Sequence, residues 1–144
     1  MNTLALDGGN EITSMRASIT FQNGKGIYPI NDMNKQTINL RSTSNVGKRV
    51  VIDGKFTYIH NKVDNRPYLS EDVASSGWAF SILPRDVSLQ SLEDNYVDEN
   101  GIEQWGWDRT LGNIYWAMEN KQNGDEKHRM QGLFSLNYDI SDRF

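Results

Sequence analysis

The chain has 144 residues and a formal charge of -4, from 15 Lys and Arg against 19 Asp and Glu. It contains no cysteine, which excludes disulfides, zinc–thiolate clusters, iron–sulfur sites and thiol nucleophiles. Its basic residues are scattered rather than clustered, which argues against nucleic acid and against an anionic membrane surface, and no apolar run approaches the roughly 20 residues of a membrane helix.

In chain order, the first thirteen residues read as a polar N-terminal arm, with Gly8-Gly9 as a turn. They lack the basic and apolar regions of a signal peptide, so a cytoplasmic or virion location is expected. Met15 to Phe21 alternates through Ala17 and Ile19 and predicts a strand ending at the turn signal Asn23-Gly24. Thr37 to Leu40 alternates as well. Arg49 to Ile52 and Lys55 to Ile59 flank Asp53-Gly54, which predicts a hairpin, because type I′ turns need positive φ at both central residues. Ser70 to Ala74 reads as a helical turn capped by Ser70. Gly77 to Leu83 reads as a strand with Trp78, Phe80 and Ile82 on one face. Ser88 to Glu93 reads as a short helix. Asn100-Gly101 separates two further strand-like segments, Asn95 to Val97 and Ile102 to Trp105, and Asn123-Gly124 precedes the last apolar block.

Leu111 to Lys121 fits two periods. Leu111, Ile114, Tyr115 and Met118 follow a helical spacing, while Ile114, Trp116 and Met118 also alternate. Gly112-Asn113 makes a poor helix start, which tips the reading to strand. The clearest strand is the last, where Phe134, Leu136, Tyr138 and Ile140 alternate with polar residues. With Phe144 it looks like the closing strand of an outer-membrane barrel. Asp142 on the apolar face and the lack of repeated alternating segments of about 10 residues argue against that reading. The expected fold is mainly β: an antiparallel sandwich, jelly roll or small barrel of about eight short strands with one or two helical turns, in a single domain spanning residues 1–144.

Chemical motifs are sparse. His60 and His128 lack zinc spacing, so no metal and no cofactor is expected. Asp98, Asn100 and Gly101 imitate part of a calcium loop. Tyr96 and Trp107 would fall at ligand positions, so a turn is the better reading, beside a looser oxygen cluster of Asp94, Asp98 and Glu99. No nucleophile motif or phosphate-binding loop occurs. Three of the four tryptophans cluster in Trp105-Gly106-Trp107 and Tyr115-Trp116. In a strand Trp105 and Trp107 would share a face, with Asp108 and Arg109 as polar rim, serving a protein interface or a sugar-stacking platform.

Three functions are therefore expected in turn. The first is a non-enzymatic assembly subunit that buries aromatic and apolar patches against protein partners, as a homo-oligomer or as part of a virion such as a capsid decoration, tail or baseplate. The low apolar fraction, 37%, favours a subunit that finishes its core against neighbours. The second is a carbohydrate-binding module using Trp105, Trp107, Tyr115 and Trp116. The third is a small hydrolase using Glu103 or Asp108 as acid or base.

Overall fold

The computed structural model describes residues 1–28, 30–66, 68, 69, 71 and 75–140. The elements in chain order are β1 (Asn2–Gly9), β2 (Thr13–Lys25), β3 (Asp32–Val46), β4 (Val50–Asp64), α1 (Ser76–Ile82), α2 (Leu89–Asp94), α3 (Ile114–Asn120) and β5 (Asp125–Tyr138). The chain is mainly β. Its five strands form one open sheet in sequential order, β1 to β5. Five long strands take the place of about eight short ones, and the described residues form no sandwich, jelly roll or closed barrel. The candidate cap Ser70 and the last residues, including Asp142 and Phe144, lie outside the described residues.

Two compact units are distinguished: residues 1–23, 34–62 and 126–144 make the first, and residues 24–33 and 63–125 the second. The first unit is the body of the sheet. Residues read from the sequence as an arm run here as β1, paired antiparallel with β2 from Asn2 opposite Phe21 to Gly9 opposite Ser14. The link at residues 10–12 is tight because the Asn10 side chain accepts from the Ile12 and Thr13 amides at 2.9 and 2.8 Å. Gly9 is required there: a Cβ would stand 2.4 Å from the Thr13 carbonyl oxygen. The β3–β4 link is equally short and turns on Gly47 at φ 71°.

Two expected turns are absent. Asn23-Gly24 lies inside β2, and Asp53-Gly54 lies inside β4. Gly54 does not take positive φ, and the Asp53 carboxylate is occupied by Arg41 and Thr43 instead of stabilising a turn. The dipeptide signal assumes that the chain must reverse. Here the flanking β-branched and aromatic residues favour continuing the strand, and cross-strand partners hold Asp53 in it.

The second unit is a helical insertion between β4 and β5, joined by the β2–β3 link. Its helices have six or seven residues, too short to persist alone, so packing must hold them. Ala79, Leu92, Ile114 and Met118 form the core, with Tyr28, Phe80, Leu83, Val87, Trp107 and Tyr115 packed against it. Tyr28 and Phe80 stack at 5.9 Å, and Tyr115 meets the Phe80 ring at 90°. Gly77 to Leu83, read as a strand, is mostly α1, because Ser75 caps it and accepts from the Trp78 amide. Ser88 to Glu93, read as a short helix, is α2, with Ser88 as its cap accepting from the Ser91 amide. Leu111 to Lys121, read as a strand, contains α3. Gly112 at φ 70° brings the chain to Asn113, and Asn113 is the cap, accepting from the Tyr115 amide at 3.0 Å. The pair that looked like a poor helix start is the helix boundary itself. Asn100-Gly101 does turn, with Gly101 at φ 78° and an isolated bridge from Val97 to Glu103.

Candidate functional surface

The sheet unit has almost no interior. Among the described residues, every buried apolar side chain (Val63, Ala79, Leu92, Ile114, Ala117 and Met118) belongs to the helical unit. Thr57 is the one buried residue of the sheet unit. Its apolar residues are sorted all the same. The register puts Leu4 opposite Ile19 and Leu6 opposite Ala17, so these side chains share a face. Ile38 and Leu40 of β3 join them along one shallow groove, and Met15 and Phe56 continue the apolar lining. β5 adds Met130, Phe134, Leu136 and Tyr138 at alternate positions.

That face is open. Leu4, Leu6, Met15, Phe21, Leu40 and Phe56 are between 42% and 69% exposed, and Phe134 reaches 72%. At roughly 100 Å² each, these groups together exceed the roughly 300–600 Å² of the largest apolar patch on an ordinary soluble monomer.

The opposite face is polar and tied across strands. Arg16 pairs with Asp7 at 3.2 Å. Arg41 donates two hydrogen bonds to the Asp53 carboxylate, at 3.1 and 3.2 Å, and Thr43 donates a third at 2.7 Å. Thr57 donates to Asn39 at 2.8 Å, and Thr3 meets Thr20 at 3.0 Å. The sheet thus gathers its large apolar side chains on one side, where Thr13–Ser44, Tyr58–His128 and His60–Glu126 contacts also lie, and carries the Arg41–Asp53 and Thr57–Asn39 bonds on the other.

The interface and stacking candidates Trp105, Trp107, Asp108, Arg109, Tyr115 and Trp116 all lie in the helical unit, in loops and in α3. Trp105 and Trp107 do not share a strand face, because residues 104–107 are irregular. Trp107 packs against the helical core, while Trp105 stays exposed with the Arg109 guanidinium 4.7 Å over its ring. Tyr115 is partly buried against the core, and burial, followed by the Glu93 charge, raises its phenol above the usual range. Trp116 is half-buried on α3, where its carbonyl accepts from the Asn120 side chain. Asp108 accepts from the Thr110 amide at 2.6 Å, and Glu103 accepts from the Asn113 amide at 2.8 Å. Both carboxylates hold local backbone. Asp98 does likewise, accepting from the Asn100 and Ile102 amides.

One grouping was invisible in the sequence. His60 and Tyr58 on β4 meet Glu126 and His128 on β5, residues far apart in the chain and brought together by strand pairing. The Glu-x-His spacing of Glu126 and His128, and the Tyr-x-His spacing of Tyr58 and His60, set each pair on one strand face.

Among the described residues no helix is long and apolar enough to cross a membrane. No protein-family model, curated protein or solved structure matches this chain.

Proposed function

We propose that the sheet is a stretch of wall of a membrane-inserted antiparallel β-barrel, with its apolar face toward lipid and its polar face toward the lumen. The observation that carries this reading is an apolar face on a sheet that has no core of its own. A domain is stable only because apolar burial offsets the entropy of ordering the chain. The sheet unit buries almost nothing by itself, so an apolar surrounding must supply that term.

Three further features favour lipid over a protein partner. Strands of 13 to 15 residues, β2 to β5, are long for a globular sheet, where the mode is about 5–6, and exceed the roughly 9–11 residues a tilted strand needs to cross a bilayer. The strands follow each other up and down without a crossover. The links also differ by end: β1–β2 and β3–β4 are closed by residues 10–12 and 47–49, whereas β2–β3 and β4–β5 are joined by residues 26–31 and 65–124. Short turns at one end and long loops at the other are the pattern of outer-membrane barrels. Such barrels have about eight strands or more, so further strands would complete the wall at the β1 and β5 edges. The role is architectural, with the helical insertion as a folded loop. Trp105, 55% exposed with the Arg109 guanidinium over its ring, is an accessible aromatic of that loop for a ligand.

The assembly-subunit reading uses the same face with protein in place of lipid, and one experiment separates the two. The chain has no cysteine, so single cysteines can carry an environment-sensitive dye. Leu6→Cys and Leu40→Cys sample the apolar face, and Asp7→Cys and Lys55→Cys the polar one. The full chain is refolded with phosphatidylcholine vesicles. Blue-shifted emission quenched by brominated lipid at positions 6 and 40 but not at 7 and 55 is expected. A defined oligomer in lipid-free buffer, with the dyes at 6 and 40 already shielded, would overturn the membrane reading and establish the assembly.

A further inference from the structure

We infer that His60, Glu126 and His128 form a site for a divalent transition-metal ion of the zinc or nickel type, bridging β4 and β5. Glu126 Oε1 lies 2.6 Å from His60 Nε2 and 3.6 Å from His128 Nε2. One ligand atom from each residue falls within 4.8 Å of the other two. Bonds of about 2.0–2.2 Å to a tetrahedral ion set its ligand atoms roughly 3.4 Å apart, so the three atoms need move by less than about 1 Å to share one ion. The two imidazoles stack at 4.6 Å and 9° with both Nε2 atoms beside the same carboxylate, so one ring must tilt out of the stack before both lone pairs meet at one ion.

Tyr58 completes the arrangement. Its hydroxyl stands 2.8 Å from His128 Nδ1. When Nδ1 carries the proton and donates it to that oxygen, Nε2 keeps its lone pair for a metal. Outer partners of this kind fix the tautomer and orientation of ligating histidines. Two neutral nitrogens and one carboxylate oxygen suit zinc, nickel or copper, whereas calcium and magnesium prefer oxygen alone. Glu126 and His128 are each about half exposed, which leaves room for water or a further ligand on the ion. The carboxylate offsets one of its two charges. By alternation these side chains share the face of Phe56 and Met130, at the ends of β4 and β5 nearest residues 65–124, so under the proposed membrane reading the site lies at the water-facing edge of that face; zinc binding and dye quenching test the two separately.

The chain lends itself to a clean test, since it has two histidines, both in this site, and no cysteine. A tag-free preparation, folded in detergent micelles, is titrated with zinc chloride by calorimetry. One ion per chain is expected. Each of His60→Ala, His128→Ala and Glu126→Gln should weaken binding by more than tenfold, and Tyr58→Phe, which spares all three ligands, by about tenfold. If the wild type binds zinc no more tightly than the His60→Ala/His128→Ala double variant, or if Glu126→Gln binds as the wild type does, the site does not exist. Imidazole nitrogen NMR on the wild type covers the case in which a variant fails to fold. Zinc must then shift the Nε2 resonances of both histidines, and unmoved resonances overturn the inference.

Discussion

The two units of this chain use apolar residues in opposite ways. In the helical unit, Leu92, Ile114 and Met118 turn inward and disappear from solvent. In the sheet unit, Leu4, Leu6, Leu40 and Phe134 are aligned by strand alternation onto one face and stay 46% to 72% exposed. The first is the behaviour of a protein folding in water. The second is the behaviour expected of the proposed membrane wall, with lipid on that side. The sheet also keeps the Arg16–Asp7 and Arg41–Asp53 pairs and the Thr57–Asn39 bond on the opposite face, with His60, Glu126 and His128 at the β4–β5 end of the apolar one. That is the alternation expected where strands separate lipid from a wet interior. The low apolar fraction of the chain follows: only one unit has to fill a core.

The sharpest contrast comes from truncating the one true core. Leu92→Ala removes a side chain 6% exposed from the helical cluster, where Gly106 would leave a Cβ only 2.6 Å from it. A cost of about 2–5 kcal/mol to that unit is expected. All four tryptophans, Trp78, Trp105, Trp107 and Trp116, lie in the helical unit, so their emission reports that loss without a signal from the sheet body. Emission unchanged across a denaturant titration would mean that the cluster does not hold the helices.

The second comparison reverses the usual rule for exposed positions. In a soluble protein Leu40, 46% exposed, would tolerate arginine at little cost. In a barrel wall Leu40→Arg should cost about 2–4 kcal/mol near the bilayer midplane, while Thr37→Arg on the other face stays within about 0.5 kcal/mol. Equilibrium unfolding in lipid vesicles measures both. Equal effects at the two positions would erase the distinction between the faces.

Much of this contrast was legible in the sequence, though unevenly. Met15 to Phe21 and Phe134 to Tyr138 announce strands because one face is consistently apolar. β3 and β4 are harder. Asn34, Gln36, Ser42 and Ser44 interrupt the apolar positions, and Asp53-Gly54 imitates a turn that cross-strand bonds to Arg41 and Thr43 suppress. Long-range pairing decides there, and no local window contains it. The helices failed for the opposite reason. α1 and α3 are short and amphipathic, so Trp78, Phe80 and Ile82, or Ile114, Trp116 and Met118, satisfy a two-residue period by accident. The caps Ser75 and Asn113, which the sequence reading did not single out as caps, are the guide that the period hides. The candidate surface divides likewise. Trp105 to Arg109 stood out by composition, whereas the sheet face and the histidine group exist only once strands are in register.

A cap prediction tests that guide. Asn113 is 1% exposed, accepts from the Tyr115 amide and donates to the Leu92 carbonyl at 3.1 Å. Asn113→Ala removes the cap of α3 and leaves the buried Leu92 carbonyl without that donor, for about 1–3 kcal/mol. Asn113→Asp keeps the acceptor and should recover the cap part of the loss. Circular dichroism and tryptophan emission should fall together in the first variant. An Ala variant as stable as the wild type would mean that α3 is set by packing alone.

The smallest effect lies at the far end of the same helix and concerns pH. The Tyr96 hydroxyl donates to Glu119 Oε2 at 3.0 Å. That hydrogen bond first, and the Glu119 charge second, hold the phenol above its ordinary value of 10.0. The folded state therefore favours the protonated phenol. The associated stability is fully present below the unfolded value and is lost as pH rises through the folded one. Both groups are exposed, so solvent screens the pair and the effect is slight. Absorbance at alkaline pH resolves it, because Tyr96→Phe should remove a late-titrating phenol and Glu119→Gln should bring that phenol back toward the range of a free tyrosine. If Glu119→Gln leaves the alkaline titration unchanged, the contact does not persist in solution. The tie from Tyr96 to α3 would then be lost, with the helical core left as what holds that helix in place.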